Sequence, residues 1–426
     1  MQPPRVNHPD AAGRGGDDAR LRAGTAGFRR ANWALFAGGF ATFAVLYCVQ
    51  PLLPVLARAF GVSAASSSLV VSLATGTMAP AMLAMSVVSD AWGRKVVMGT
   101  SLTLAALLSL AAAAAPTWTS LLVLRTVLGL ALAGLPAVAM AYLFEEVEAE
   151  SLGVAMGLYI SGNAVGGMSG RLMTGVLTDL FGWRVAIGII GLLAAAATVL
   201  FWTALPASRH FHARRLGPGE LLGSLGRHMG EPGLRRLFAM GFLLMGCFVT
   251  VYNYIGYRLL AAPYGLSQSA VAAIFIVYLV GVFTSTWAGR LAGRYGRRQV
   301  LWWPLALMLA GVVLTLFGQL TLVIAGIVLV TAGFFAGHSV ASSWVGRRAE
   351  GARALASGLY LFFYYMGASV VGWLGGYAWS GWAWPGVAAV TGAVALAGLA
   401  VAWNLRSLPR LRPAAMPETE PAEPTG

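Results

Sequence analysis

Two arginines, Arg125 and Arg171, stand inside long apolar stretches, and the nearest acidic residues (Asp90, Glu146 and Asp179) fall only at the ends of such stretches. A guanidinium kept from water is costly unless it pairs, snorkels or faces a wet cavity. Both arginines are therefore expected to face a central cavity, where an acidic group on a substrate would supply the missing counter-charge. The alternative is that they reach outward or bind backbone carbonyls at kinked glycines. His338 is the imidazole within such a stretch and would titrate near neutrality; a hydrogen-bonded packing role is its alternative. Gln50, Asn163, Tyr252 and Tyr364 are the further polar and aromatic candidates for the cavity wall. No metal-ligand cluster, nucleophile elbow or phosphate loop stands out, so no metal, no cofactor and no enzymatic activity are expected.

The elements that must carry these residues are membrane-spanning helices. The chain has 426 residues, 58% hydrophobic and 10% charged, with a mean hydropathy of +0.73. A soluble chain of this length needs far more charge on its surface. Apolar runs such as Ala31–Pro54, Leu301–Gly318 and Leu320–Ala336 are long enough to cross a hydrocarbon core of about 30 Å. The 54 glycines suit closely packed transmembrane helices. Cys48 and Cys247 both lie in apolar runs and read as buried thiols.

The net charge of +14 is distributed as topology requires. Of 29 Lys and Arg residues, five (Arg58, Arg125, Arg171, Arg184 and Arg258) fall outside the tails and alternate loops, leaving 29 − 5 = 24 within them. That is the positive-inside pattern. It places both termini in the cytoplasm, makes the number of spans even and leaves no reason to expect a nucleic-acid partner. Breaking the apolar blocks at charges and turns predicts twelve helices: 31–54, 66–89, 96–115, 119–144, 152–178, 183–205, 236–260, 269–289, 300–318, 321–344, 355–379 and 384–405. The expected organisation is a disordered tail (1–30), a six-helix bundle (31–205), a cytoplasmic loop (206–235), a second six-helix bundle (236–405) and a disordered tail (406–426). The first thirty residues lack the apolar core of a secretory signal.

Internal repetition supports two related halves. Phe60-Gly61-Val62-Ser63 matches Tyr264-Gly265-Leu266-Ser267 at an offset of 204, and Gly93-Arg94-Lys95 matches Gly296-Arg297-Arg298 at 203. Gly157-Leu158-Tyr159 matches Gly358-Leu359-Tyr360 at 201, and Trp183 and Trp384 keep that register.

These residues resemble the major facilitator superfamily. Its signature loop G-x-x-x-D-[RK]-x-G-R-[RK] is matched by Ser86-Val87-Val88-Ser89-Asp90-Ala91-Trp92-Gly93-Arg94-Lys95, with Ser86 and Ala91 departing. A second copy runs from Gly289 to Arg298 and carries Gly293 in place of the Asp. Leu121-x-x-x-Arg125-x-x-Leu128-Gly129 and Gly162-Asn163-Ala164-Val165-Gly166-Gly167-Met168-Ser169-Gly170-Arg171 are similar to motifs of the drug:proton antiporter branch. Gly167 there replaces Pro, and Arg171 the last Gly. Tyr47-Cys48-Val49-Gln50-Pro51-Leu52-Leu53-Pro54 resembles the YnfM-like members of that branch.

The resemblance implies an all-α membrane protein of the major facilitator fold, with two pseudo-symmetric six-helix halves working by alternating access. It implies a cytoplasmic gate in which Asp90 latches the N-terminus of helix eleven. Gly93, Arg94, Lys95, Gly296, Arg297 and Arg298 build that gate. It also implies that Gly162, Gly166, Gly167 and Gly170 pack at the interface between halves. The helix four–five acids Glu145, Glu146, Glu148 and Glu150 would pair with basic residues of the same face, or simply be solvated. The expected activity is secondary transport of a small amphipathic molecule, with proton-coupled efflux as the leading form. Import of a small organic anion and a non-transporting receptor or scaffold are the rivals. Partners are then a small-molecule substrate, a proton and the lipid bilayer. The location is a bacterial inner membrane and the expected state is a monomer.

Overall fold

The repeated Gly-x-Ser landmarks have a local physical cause. Gly61 and Gly265 adopt the left-handed conformation, at φ 64° and 54°, where a side chain would clash. Two residues on, Ser63 and Ser267 cap the next helices by accepting the amides of Ser66 and Ala270. Gly61 thus closes α2, Gly265 shapes the turn that follows α10, and in both repeats a Ser starts the next helix.

The computed structural model describes residues 20–211, 218–349 and 353–407. The described chain is helical: α1 (Ala26–Tyr47), α2 (Leu53–Phe60), α3 (Ala64–Trp92), α4 (Arg94–Ala113), α5 (Trp118–Leu132), α6 (Gly134–Glu146), α7 (Ala149–Phe181), α8 (Trp183–Ala204), α9 (Pro218–Gly230), α10 (Pro232–Leu260), α11 (Gln268–Ala273), α12 (Tyr278–Tyr295), α13 (Arg297–Val300), α14 (Trp302–Leu314), α15 (Leu320–Arg348) and α16 (Arg353–Arg406). Nine stretches among the described residues are long and apolar enough to cross a membrane. One of them, α16, is two helices joined across the non-helical Trp382 and Ala383. Its two parts, together with the 33-residue α7 and the α13–α14 pair, bring the lengthwise segments to the twelve expected.

Boundaries differ at the ends of the expected bundles. Helix one begins at Ala26 because Thr25 caps it by accepting the Phe28 amide. Ahead of it, the Leu21 amide donates to the Glu146 carbonyl and Leu21 accepts the Glu148 amide. Residues 20–30 are therefore structured rather than tail, while residues 1–19 and 408–426 lie outside the described residues. The expected loop 206–235 contains α9 and the start of α10, which Glu231 caps by accepting the Gly233 and Leu234 amides.

The first span is broken. Pro51 has no amide to offer the Tyr47 carbonyl, and α1 ends at Tyr47. Its final carbonyls need other donors, and Arg125 supplies them from α5. Its Nη1 donates to Val45 O at 3.0 Å, its Nη2 to Leu46 O at 2.6 Å and its Nε to Val70 O on α3 at 2.8 Å. Arg125 is 2% exposed. Its guanidinium thus donates to backbone carbonyls, two at the broken end of α1 and one on α3, and not to a carboxylate among the described residues.

The glycine seam is also placed differently from the expectation. A Cβ on Gly162, Gly166 or Gly170 would meet the α1 backbone at Phe36, Phe40 or Ala44, with nearest approaches of 2.4, 2.2 and 2.7 Å. These glycines therefore pack α7 on α1, inside the N-terminal group of helices and not between groups. Gly175 does meet the other group, against Ala272 and Gln268 of α11. Gly367, at the repeat position of Gly166, likewise receives the backbone of Phe242 on α10. The motif spacing is right for close helix approach; its partner is the neighbouring helix of the same group.

Two seams join the groups. The α3 helix runs along α16, with Ala65 against Gly376, the Ser369 hydroxyl on Ser72 O at 2.7 Å and Leu83 beside Gly358. The second seam, α7 on α11, is tight at Gly175 and Asp179. Asp179 Oδ2 accepts from the amide and hydroxyl of Ser269. Nearer the face that carries Arg20 and Ser407, α7 and α12 have open space at three glycines. A Cβ at Gly153, Gly157 or Gly293 would have nothing within 4 Å.

Two outcomes are expected. Replacing Arg125 by Ala removes three charge-assisted bonds, to Val45 O, Leu46 O and Val70 O, at about 1.5–3 kcal/mol each. It lowers the melting temperature of the detergent-purified protein, and Arg125→Lys does not restore it because one ammonium cannot fork three ways. An unchanged melting temperature for Arg125→Ala would refute the clamp. Gly166→Ala forces α1 and α7 apart and reduces folded yield, measured by size-exclusion profile. Gly157→Ala, with space around it, should leave that profile as it is.

Candidate functional site

Arg171 sits on α7 where that helix passes the break after α1. Its Nη1 turns back to Gly167 O at 2.5 Å, and its Nε donates to Gln50 Oε1 at 2.7 Å. The absence of a β-carbon at Gly167 leaves room for that turn. Gln50 Nε2 in turn donates to Asn253 Oδ1 on α10 at 2.8 Å. Arg171, Gln50 and Asn253 thus form one directional chain across the two groups of helices. All three are almost fully buried.

Three aromatic rings surround the guanidinium: Tyr47 at 4.1 Å, Tyr278 at 5.0 Å and Phe275 at 5.1 Å from the guanidinium carbon. Stacking of this kind stabilises a guanidinium removed from water. Among the described residues no carboxylate bonds Arg171, and its Nη2 has no hydrogen bond. The phenol of Tyr278 is enclosed and likewise has no partner among them. The place therefore holds one cation bonded only by neutral acceptors, Gly167 O and Gln50 Oε1, and one hydroxyl without a partner among the described residues. Anion binding at an aromatic-walled guanidinium is the chemistry this arrangement can perform.

Of the sequence candidates, Gln50 and Arg171 meet directly. Tyr252 lies one layer behind, stacked on Phe275 at 5.1 Å with its hydroxyl on Thr331 Oγ1 at 2.7 Å. Tyr364 and His338 lie further along the same run of rings, reached from Tyr278 through Phe248 and Phe334: their rings lie 4.9 Å apart and His338 Nδ1 is 3.0 Å from Tyr360 OH. Asn163 does not join the Arg171 group. Its carbonyl oxygen presses on Gly39 of α1, enclosed and without a partner among the described residues.

Asn253, Tyr47, Phe275 and Tyr278 were missed by sequence reasoning. A usable signal existed for one of them. Asn253 follows Gln50 by 203 positions, the offset of the repeated glycine-arginine motif. The repeat thus places Gln50 and Asn253 opposite one another, where they bond.

The signature loops lie on the terminal face. Gly93 and Gly296 both turn at positive φ, 89° and 87°. Arg94 donates to Asp90 at 2.6 Å, to Ser89 at 2.5 Å and as a fork to Glu145 at 2.7 and 3.1 Å. Among the described residues Asp90 bonds within its own group, and residues 350–352, before α16, lie outside them. Lys95 donates to Leu205 O, and Arg297 Nε to Ser343 Oγ; Arg298 follows in the second copy. Glu146 accepts the amides of Arg209 and His210, while Arg348 forks onto Glu231. Partial burial opposes ionisation of Glu231, yet Arg348 and the Gly233 and Leu234 amides hold its carboxyl below the usual range. That contribution to stability is present above the unfolded carboxylate range and fades as pH falls through the lowered folded value.

Comparison with known proteins agrees with this architecture. The sequence profile described as "Major Facilitator Superfamily" matches residues 35–259. The chain is 50% identical over 367 residues to the "Uncharacterized MFS-type transporter YybF" of Bacillus subtilis, covering 86% of this chain and 91% of that one. It is 47% identical over 385 residues to the "Inner membrane transport protein YnfM" of Escherichia coli, covering 90% and 92%. The crystal structure of the nucleoside transporter NupG superposes with a TM-score of 0.69 at 15% identity, covering 88% of this chain and 98% of that one. With its helical architecture, its paired signature loops and these relatives, the chain belongs to the Major Facilitator Superfamily and is a multi-pass membrane transporter.

Proposed function

We propose that this transporter moves a small amphipathic molecule bearing an acidic group, by alternating access between two six-helix halves, 31–205 and 236–405. The supporting observation is Arg171, a buried guanidinium at the junction of the groups with a free donor and no bonded carboxylate among the described residues. The aromatic wall of Tyr47, Phe275 and Tyr278 suits the apolar part of such a molecule. In this reading the terminal face is cytoplasmic, the described conformation opens toward it, and the cross-group bonds near Asp179 and Asn253 seal the outer side. Asp90, Arg94 and Lys95 with Gly296, Arg297 and Arg298 form the cytoplasmic gate when the cycle reverses.

A proton is the proposed coupling ion, and efflux the proposed direction. His338 is its candidate carrier because it bonds Tyr360 inside an aromatic group on the path between the opening and Arg171. Loss of the imidazole would remove the coupling and leave the substrate seat.

Proteoliposome transport of a panel of acidic, neutral and cationic amphipathic compounds, with and without a pH gradient, tests both parts. Acidic compounds should be moved selectively. Arg171→Gln should reduce their transport roughly 10- to 100-fold, the value of a charge-assisted bond of about 1.5–3 kcal/mol. Selective transport of cations, or wild-type rates in Arg171→Gln, would overturn the anion reading. For His338→Asn, substrate exchange at equal pH should persist while stimulation by the gradient disappears; retained stimulation would remove His338 from coupling.

A further inference from the structure

The outer surface of the α1–α8 pair carries a feature unrelated to the Arg171 site. A surface recess of about 390 Å³ runs between the two helices, walled by Trp33, Phe36 and Phe40 on α1 and Leu193, Ala197 and Leu200 on α8. It adjoins, at the shared Trp33 and Leu200, a second recess of about 420 Å³ that contains Arg29 and Arg30. The sequence dictates the layout. Residues 29, 33, 36 and 40 recur at helical spacing on one face of α1, and the small Ala197 leaves the floor low on α8.

Chemistry changes sharply along this groove. Its deep part is apolar, while its mouth at the terminal face has exposed Arg29 and Arg30, with Lys95 close enough to Arg30 to repel it. Arg30 spends one donor on Thr203 O at 2.9 Å. The Arg29 side chain has no hydrogen bond or ion pair among the described residues, its amide alone bonding Thr25 O. From Arg29 to Phe40 the helix rises roughly 16 Å, at 1.5 Å per residue. That is about half of a 30 Å hydrocarbon core, so the groove spans one leaflet. A cationic mouth at headgroup level above a leaflet-deep apolar channel fits a single amphiphile with an anionic head and an acyl tail.

The geometry points to a binding site for one anionic phospholipid, such as phosphatidylglycerol, with its phosphate at Arg29 and Arg30 and one acyl chain between α1 and α8. The site belongs to the leaflet on the terminal-face side. Trp33, 63% exposed, stands at the junction of head and tail, the depth that indole rings favour. Because α8 closes the first group of helices on α1, an occupant here would also fasten the two ends of that group.

Native mass spectrometry of the full chain, released from detergent micelles containing either phosphatidylglycerol or phosphatidylethanolamine, reads occupancy directly. One phosphatidylglycerol should be retained in preference to phosphatidylethanolamine. Each arginine near a membrane surface contributes about fivefold to anionic-lipid affinity. Arg29→Gln should thus weaken retention about fivefold, and the double variant Arg29→Gln/Arg30→Gln about 25-fold. Arg29→Gln removes no described bond, so its effect does not depend on a folding defect; an unchanged melting temperature checks this. Ala197→Phe should also lower retention by filling the tail channel, whereas millimolar inorganic phosphate should not displace the lipid. Equal retention of the two lipids, an unaltered double variant, or displacement by phosphate alone would each overturn the proposal.

Discussion

A polypeptide in hydrocarbon must satisfy its backbone polar groups from within, and this chain breaks its first helix where doing so is hardest. The proline at position 51 ends α1 well inside the bundle, and the carbonyls so released are met by Arg125. The same solution recurs. Arg184 donates to Ala113 O and Ala115 O where α4 ends, and Arg258 to Thr315 O and Phe317 O where α14 ends. Cations at helix C-termini gain from both the exposed carbonyls and the helix dipole. The arginines away from the terminal face are thus largely fasteners of helix ends, and this use sets Arg171 apart.

Arg171 keeps one donor on a helix carbonyl but directs another along a polar chain that crosses the molecule. The repeat explains the place and the asymmetry together. Gln50 and Asn253 occupy equivalent positions and meet across the pseudo-twofold relation. Arg171 and Gly372 are also equivalent, 201 positions apart. On one side Gln50 therefore receives a guanidinium. On the other, Asn253 faces a glycine: a Cβ at Gly372 would lie 3.1 Å from Asn253 Nδ2 and 3.6 Å from Ser72 Oγ. Both of those atoms are enclosed without partners among the described residues. The repeated positions thus share a frame, and the difference between Arg171 and Gly372 places charge on a single side.

Much of the frame was legible because it rests on short-range rules. Apolar run length and turn signals act over a few residues and were read from adjacent letters, and the repeat was read by matching such short motifs 201 to 204 positions apart; the Ser caps were not read as caps. The site was less legible because its decisive contacts join residues 121 and 203 positions apart, Arg171 to Gln50 and Gln50 to Asn253. The isolation of Arg125 and Arg171 in apolar sequence was correctly seen, yet the same signal covered two fates. What separated them was a proline near a helix end, which creates orphan carbonyls beside one arginine and not the other. The helix-five glycines show the same limit: spacing reveals that a helix comes close, but not which helix.

The cross-group bonds also bear on how such a frame could move. On the side away from the termini they are Gln50 to Asn253, Tyr257 to Ser67 and Leu53 O, Gln268 to Pro51 O, Asp179 to Ser269 and Ser369 to Ser72 O. Most are between neutral groups, worth about 0.5–1.5 kcal/mol each in net terms. Their sum, a few to roughly ten kcal/mol, is of the same order as the ~5.5 kcal/mol that carries a two-state equilibrium from 1:99 to 99:1. A seal built from buried ion pairs would resist opening far more strongly, since separating such partners costs about 3–5 kcal/mol each. Among the described residues the arginine ion pairs of Arg94 with Asp90 and Glu145, and of Arg348 with Glu231, brace helices within one group, as do Arg22 with Glu148 and His210 with Glu146. Strong electrostatics therefore hold each group rigid, and weak neutral bonds hold the groups to one another. That division would suit the proposed rocking between two faces, and it leaves Arg171, a buried guanidinium at the junction, where a ligand's charge would weigh on the balance.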